Sequence, residues 1–159
     1  MLSTMQVELF LARHFNTRVN MLVPNVSWGM GFRYEIDLLL IRPSGYMVEF
    51  EIKVAKNDLI ADKKKGHFHK NNKIRELYFA IPEYLEPYTS HIQPDAGIYL
   101  IGMKGEVKLL RKADIKSDYK ITDNDKIHLG KLCSMRIWNL KESVYSSSKA
   151  YKNLLEEIR

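Results

Sequence analysis

A chain of 159 residues is long enough to close one core without a disulfide or metal staple, and its single cysteine, Cys133, excludes both an intramolecular disulfide and a cysteine-based zinc site. Hydrophobic residues at 45% and charged residues at 28% exclude a disordered chain and fit a compact globular one. The net charge of +6 favours a polyanion such as nucleic acid or an anionic membrane surface, with plain solubility the equal alternative, so the position of the cations matters more than their total.

The opening MLSTMQVELFLARHF is interrupted by Gln6, Glu8 and Arg13, so it reads as neither a signal peptide nor a membrane span. With one cysteine and no targeting signal, the expectation is a cytoplasmic protein without a membrane partner. Ser3 stands three residues before Gln6, the spacing of a capping box, and predicts a helix over about 4–15 with Val7, Phe10, Leu11, His14 and Phe15 as its apolar stripe. Val19, Met21 and Val23 then alternate as a short strand that Pro24 and the glycines of SWGMG should stop.

The segment YEIDLLLIRPSGYMVEFEIKV predicts two strands around a three-residue loop. In R-P-S-G-Y, proline suits the first central position of a type I turn and Gly45 the left-handed position that closes it. That loop sets Arg42 opposite Tyr46 and, by continuation, Leu38 opposite Phe50, Ile36 opposite Ile52, Asp37 opposite Glu51 and Glu35 opposite Lys53. Alternation then separates two chemistries. One face carries Ile36, Leu38, Leu40, Val48, Phe50, Ile52 and Val54 for the core, and the other gathers Glu35, Asp37, Glu49, Glu51 and Lys53.

After Lys56, Asn57 or Asp58 can cap a helix running to about Asn71. ELYFAIP predicts a strand, PEYLEPYTSHI a short helix broken at Pro87, and DAGIYLIGMKGEVKLLRKA a hairpin through Met103, Lys104 and Gly105. From about Asp123, the stripe Leu129, Leu132, Cys133, Ile137, Leu140 and Val144 marks an amphipathic helix, with VYSSSKAYKN suggesting a break before a last short one. No repeat or linker divides the chain. The expectation is one α/β domain over 1–159, with a core of about 5–115, a central mixed β-sheet flanked by helices, a further β-hairpin and a C-terminal helical extension over about 120–159.

Asp37 and Glu51 as cross-strand neighbours would repel, and a divalent cation removes that cost. Two carboxylates with water completing the shell suit Mg²⁺ or Mn²⁺, and Lys53 on the same face supplies a positive charge beside a reacting phosphate. The simplest alternative is a solvated hairpin face on which Lys53 balances Glu35 and Glu51.

Context favours the catalytic set. The order helix, three-strand meander, helix, strand, with an acid on the second strand and E-x-K on the third, resembles the PD-(D/E)XK nuclease superfamily. That resemblance implies a restriction-endonuclease-like core, catalytic roles for Asp37, Glu51 and Lys53, and metal binding by Asp37, Glu51, the Ile52 carbonyl and the helix acid Glu8. From WGMGFRYEIDLLLI through EFEIKVAKNDLIADKKKG, LYFAIP and PDAGIYLIGMKGEVKLLRKA, the sequence is most similar to the MmcB-type branch of DNA-repair proteins. It departs from that branch at Glu35, where arginine or alanine is more usual, and after Asp62, where lysines replace an aromatic residue. The first departure leaves open whether Glu35 joins the site.

Lys56, Lys63, Lys64, Lys65, Lys70 and Lys73 follow the candidate site closely and predict contacts to a nucleic-acid backbone without sequence reading. Asp58 and Asp62 are read as a helix cap and a lysine partner, and His67 and His69 as surface residues. Trp28 and Tyr34 can stack on a base but suit the core better; Tyr78, Phe79, Tyr84 and Tyr88 read as packing. Three functions follow: a Mg²⁺-dependent phosphodiester hydrolase acting on DNA in repair or recombination; a catalytically inactive nucleic-acid-binding module of the same fold; and, least favoured, glycoside hydrolysis through Glu49 and Glu51. The C-terminal stripe leaves a homodimer, DNA clamping and domain capping open.

Overall fold

The computed structural model describes residues 1–27, 29–62 and 71–157. The chain divides into two compact units, Met1–Thr122 and Asp123–Arg159. In the first, helix α1 (Thr4–His14) is followed by strands β1 (Met21–Val26), β2 (Ile36–Ile41) and β3 (Met47–Ile52), helix α2 (Lys56–Asp62), strand β4 (Ile74–Pro82), a 3-10 helix (Glu83–His91) and strands β5 (Gly97–Ile101) and β6 (Val107–Arg111). The second is one helix, α3 (Asp123–Glu157).

The six strands form one mixed sheet in chain order. β1, β2 and β3 are an antiparallel meander, β3, β4 and β5 run parallel, and β6 returns antiparallel to β5. Parallel neighbours need a crossover, which the α2 segment supplies between β3 and β4 and the 3-10 segment between β4 and β5. The R-P-S-G-Y loop has the predicted form: Gly45 is left-handed at φ +85°, its N–H donates to the Arg42 carbonyl at 2.8 Å, and the Arg42 N–H donates to the Tyr46 carbonyl at 3.0 Å. The register follows, with Leu38 opposite Phe50 and Leu40 opposite Val48. The second hairpin closes the same way, through Gly105 at φ +97° and a Gly102 N–H bond to the Glu106 carbonyl. The Ser3–Gln6 capping box opens α1 as read from the sequence.

Four boundaries differ from the sequence reading. Pro24 does not stop β1, because β1 is the edge of the sheet and an edge position tolerates a missing N–H. Pro87 does not break its helix; the whole segment takes the tighter 3-10 form, with Pro87 inside it. Asn71 is not helical and instead accepts the Lys73 N–H on its side-chain oxygen at 2.8 Å. α3 runs unbroken through Ser146, Ser147 and Ser148, since serine lowers helix propensity without removing a backbone donor.

Both faces of the sheet are covered. Val7 and Leu11 of α1 pack with Leu38, Leu40, Val48, Phe50, Ile52, Tyr78 and Ala80 on the first face. Alternation sends Leu77, Phe79 and Ile81 of β4 to the other, where they pack with Leu59 of α2 and Leu85 of the 3-10 helix. β3 is therefore buried at every position, Glu49 and Glu51 included. The face that carries the acids is not a solvated one.

Candidate active site

The site begins where β2 and β3 part. In an antiparallel pair, hydrogen-bonded positions recur at every second residue, so the Arg42–Tyr46 bond predicts further bonded pairs at Leu40–Val48, Leu38–Phe50 and Ile36–Ile52. The paired register ends at Leu38–Phe50, while Ile36 pairs with Val26 of β1. The Ile52 N–H donates instead to Asp37 Oδ2 at 2.8 Å. A carboxylate thus occupies a rung of the ladder and is held at the backbone of the E-x-K strand. One residue on, the Lys53 N–H bonds the Ala80 carbonyl at 3.2 Å, which ties the end of that strand to β4.

Glu49, Glu51 and Lys53 are exposed by only 0%, 3% and 4%. Burying charge costs several kcal/mol per ion and is sustained by close partners. Lys53 Nζ meets Glu51 Oε1 in a buried ion pair, and Asp58 Oδ2 on the first turn of α2 lies 3.9 Å from the same ammonium. Asp58 is therefore not the helix cap read from the sequence: α2 starts two residues earlier and carries it toward Lys53. Glu49 accepts the Tyr34 hydroxyl at 2.9 Å. Tyr34 is thus bonded within the unit, to one of the two acids, Glu49, that glycoside hydrolysis would use.

Burial, then the negative charge of Glu49, raises the Tyr34 hydroxyl well above the ordinary tyrosine value. A raised pKa favours the protonated form in the folded state, so this stability is complete below about pH 10, the unfolded value, and is lost as the pH rises beyond it. Tyr34→Phe should cost about 1 kcal/mol at neutral pH and lose less than the parent between pH 9 and 11, as read by denaturant midpoints. An equal alkaline loss in both proteins would remove Tyr34 from this role.

The other candidates are dispersed. Glu8 is half-buried on α1, next to Val7 of the core. Glu35 is exposed just before β2. Lys56 opens α2 with its ammonium 4.3 Å from the Tyr88 ring. Lys73 precedes Ile74, which pairs with Met47 at the start of β3, so it sits at the opposite end of the strand from Lys53. Lys63, Lys64, Lys65 and Lys70, with His67, His69 and Trp28, lie outside the described residues. Tyr78 and Phe79 are buried as read, whereas Tyr84 is 39% exposed and donates its hydroxyl to the Val54 carbonyl at 2.8 Å.

Among the described residues, no group of three or more His, Cys, Asp and Glu side chains converges as a metal cage. Mg²⁺ needs less, since it is commonly held by one or two carboxylates and keeps several waters. Asp37 and Glu51 offer the carboxylate oxygens that such a hard cation takes.

No protein-family model matches the sequence, and no curated protein matches it. Among solved structures, the chain is similar to the SPO1766 protein of unknown function from Silicibacter pomeroyi, with a TM-score of 0.67 and 14% identity over 90% of this chain and 94% of that one. It also aligns with the protein of unknown function AF1548 at a TM-score of 0.38 and 18% identity, over 62% of this chain and 57% of that one. The first likeness shows the fold, a mixed α/β architecture with a six-stranded mixed sheet and helices. Among the described residues, no helix is long and apolar enough to cross a membrane.

Proposed function

We propose that this chain is a divalent-metal-dependent phosphodiester hydrolase that cleaves DNA, built on a restriction-endonuclease-like core of the MmcB type and working in repair or recombination in the cytoplasm. The observation that carries the reading is the buried Glu51–Lys53 pair beside an Asp37 carboxylate bonded to the Ile52 amide. A surface ion pair needs neither the burial nor the displaced ladder bond.

Asp37 and Glu51 would hold Mg²⁺ or Mn²⁺, with the Ile52 carbonyl and Glu8 as further ligands in the resemblance. When bound, the ion would supply an activated water and neutralise charge on the phosphate. Lys53, fixed by its N–H bond to Ala80 and its ion pair with Glu51, sets one ammonium at the reacting phosphate, where it acts most strongly as charge develops. The lysines after Lys53 retain the backbone of the substrate.

The deciding experiment incubates the purified chain with single-stranded, duplex, flap and junction DNA in Mg²⁺ or Mn²⁺, beside Lys53→Met and an EDTA control. Metal-dependent cleavage lost in the variant supports the reading; binding without cleavage by the parent protein would make it a non-cleaving module. A second result separates retention from chemistry. Replacing Lys63, Lys64 and Lys65 by alanine should weaken DNA binding and lower the slope of log K against log salt by about 0.9 for each phosphate that is no longer neutralised, with turnover at saturating DNA nearly intact. An unchanged salt slope would take these lysines out of the interface.

A further inference from the structure

Helix α3 presents an apolar seam whose spacing differs from that of a helix facing a globular core. Cys133, Ile137, Leu140 and Val144 follow at steps of four, three and four residues, the d and a positions of a heptad; Ser147 takes the next d position, and the sequence returns to the register at Tyr151 and Leu154. Ile137, Leu140 and Val144 are exposed by 55%, 66% and 61%. Every residue from Ile137 to Lys149 is exposed, whichever way it points. A helical stretch of that kind draws little stability from propensity alone, because most helices are held by the packing of one face. The positions flanking the seam are polar: Ser134 and Lys141 at e, Arg136 and Ser143 at g.

We infer that a second copy of this chain covers the seam, the two α3 helices pairing as a two-stranded coiled coil in a twofold dimer. Three features point to a copy rather than to another partner. A seven-residue apolar repeat, interrupted at the d position by Ser147, suits a helix that winds around another helix, since a straight helix drifts off such a repeat by about 20° per heptad. β-Branched Ile137 and Val144 at a, with Leu140 and Leu154 at d, are the side chains that select two strands. A seam that offers the same residues on both partners is self-complementary, as a twofold interface requires. The inference is independent of the nuclease reading, because no residue of the Asp37, Glu51 and Lys53 site takes part.

Sedimentation velocity and light scattering of the full chain between about 5 and 100 µM, a range that covers typical weak to tight self-association, test it directly. The parent protein should run at twice its 18.6 kDa mass. Leu140→Glu with Val144→Glu should weaken the dimer by about a hundredfold or more, as the removal of two central apolar anchors does. Both positions are exposed, so the variant should keep the sheet's circular-dichroism signature. Asn139→Glu, at the outward c position, should leave the dimer intact. A parent protein that stays monomeric at the highest concentration, a double variant that still dimerises, or an Asn139→Glu protein that dissociates would each overturn the inference.

Discussion

Lys53→Met should lower turnover by about a hundred- to a thousandfold, the range seen when one preorganised electrostatic group at a reacting centre is removed, while DNA affinity changes little. The charge acts on a transition state richer in negative charge than the bound substrate, so its loss falls on kcat rather than on binding. Methionine keeps the length and the apolar stem of the lysine within its buried slot. It leaves Glu51 without the ammonium it meets, and breaking a buried pair from one side costs about 3–5 kcal/mol. Kinetics are therefore read at a temperature where circular dichroism shows the variant folded. Glu51→Gln with Lys53→Met should recover much of that stability, because no charge is then left facing an empty partner, and should stay inactive. Unchanged cleavage by Lys53→Met would remove the lysine from the chemistry. A double variant as unstable as the single one would show that the two groups do not act as a pair.

How much of this was legible depends on whether a feature is set locally. The R-P-S-G-Y loop fixes a register within five residues, so Leu38 opposite Phe50 followed from turn chemistry and the meeting of Glu51 with Lys53 from alternation, whereas the pairing of Asp37 with Glu51 lies beyond the register, which ends at Leu38 and Phe50. The Ser3–Gln6 cap and the Gly105 hairpin are local in the same sense. Burial of Glu49 and Glu51 is not, since alternating acids read alike on a wet face and on one that runs beside Leu77 and Phe79 of a strand more than twenty residues away. Nor did any short-range signal give the bond from Tyr34 to Glu49, or the approach of Asp58 to Lys53, which depends on α2 starting at Lys56. Pro24 and Pro87 were read as stops because proline removes a donor. Whether that donor is needed depends on the strand's place in the sheet and on the helix type, which are both tertiary facts.

Asp37 has two roles that two substitutions can separate. Its carboxylate fills the ladder rung at Ile52, and in the proposed mechanism it also binds the metal. Asparagine keeps an oxygen able to accept the Ile52 N–H but loses the charge, whereas alanine loses both. Asp37→Asn should therefore melt close to the parent protein in EDTA and should cleave DNA at a rate lower by orders of magnitude. Asp37→Ala should be equally inactive and less stable by about 1–3 kcal/mol, the cost of stranding a buried amide, with faster hydrogen exchange at Ile52. The metal gives a third readout: a bound ion stabilises the fold by about 2.7 kcal/mol at a hundred times its dissociation constant. The parent protein's melting temperature should rise with Mn²⁺ and that of both variants should not. If Asp37→Asn cleaves like the parent protein or keeps the Mn²⁺ shift, Asp37 does not hold the metal. If Asp37→Ala is as stable as Asp37→Asn, the bond to Ile52 contributes nothing to the junction of β2 and β3.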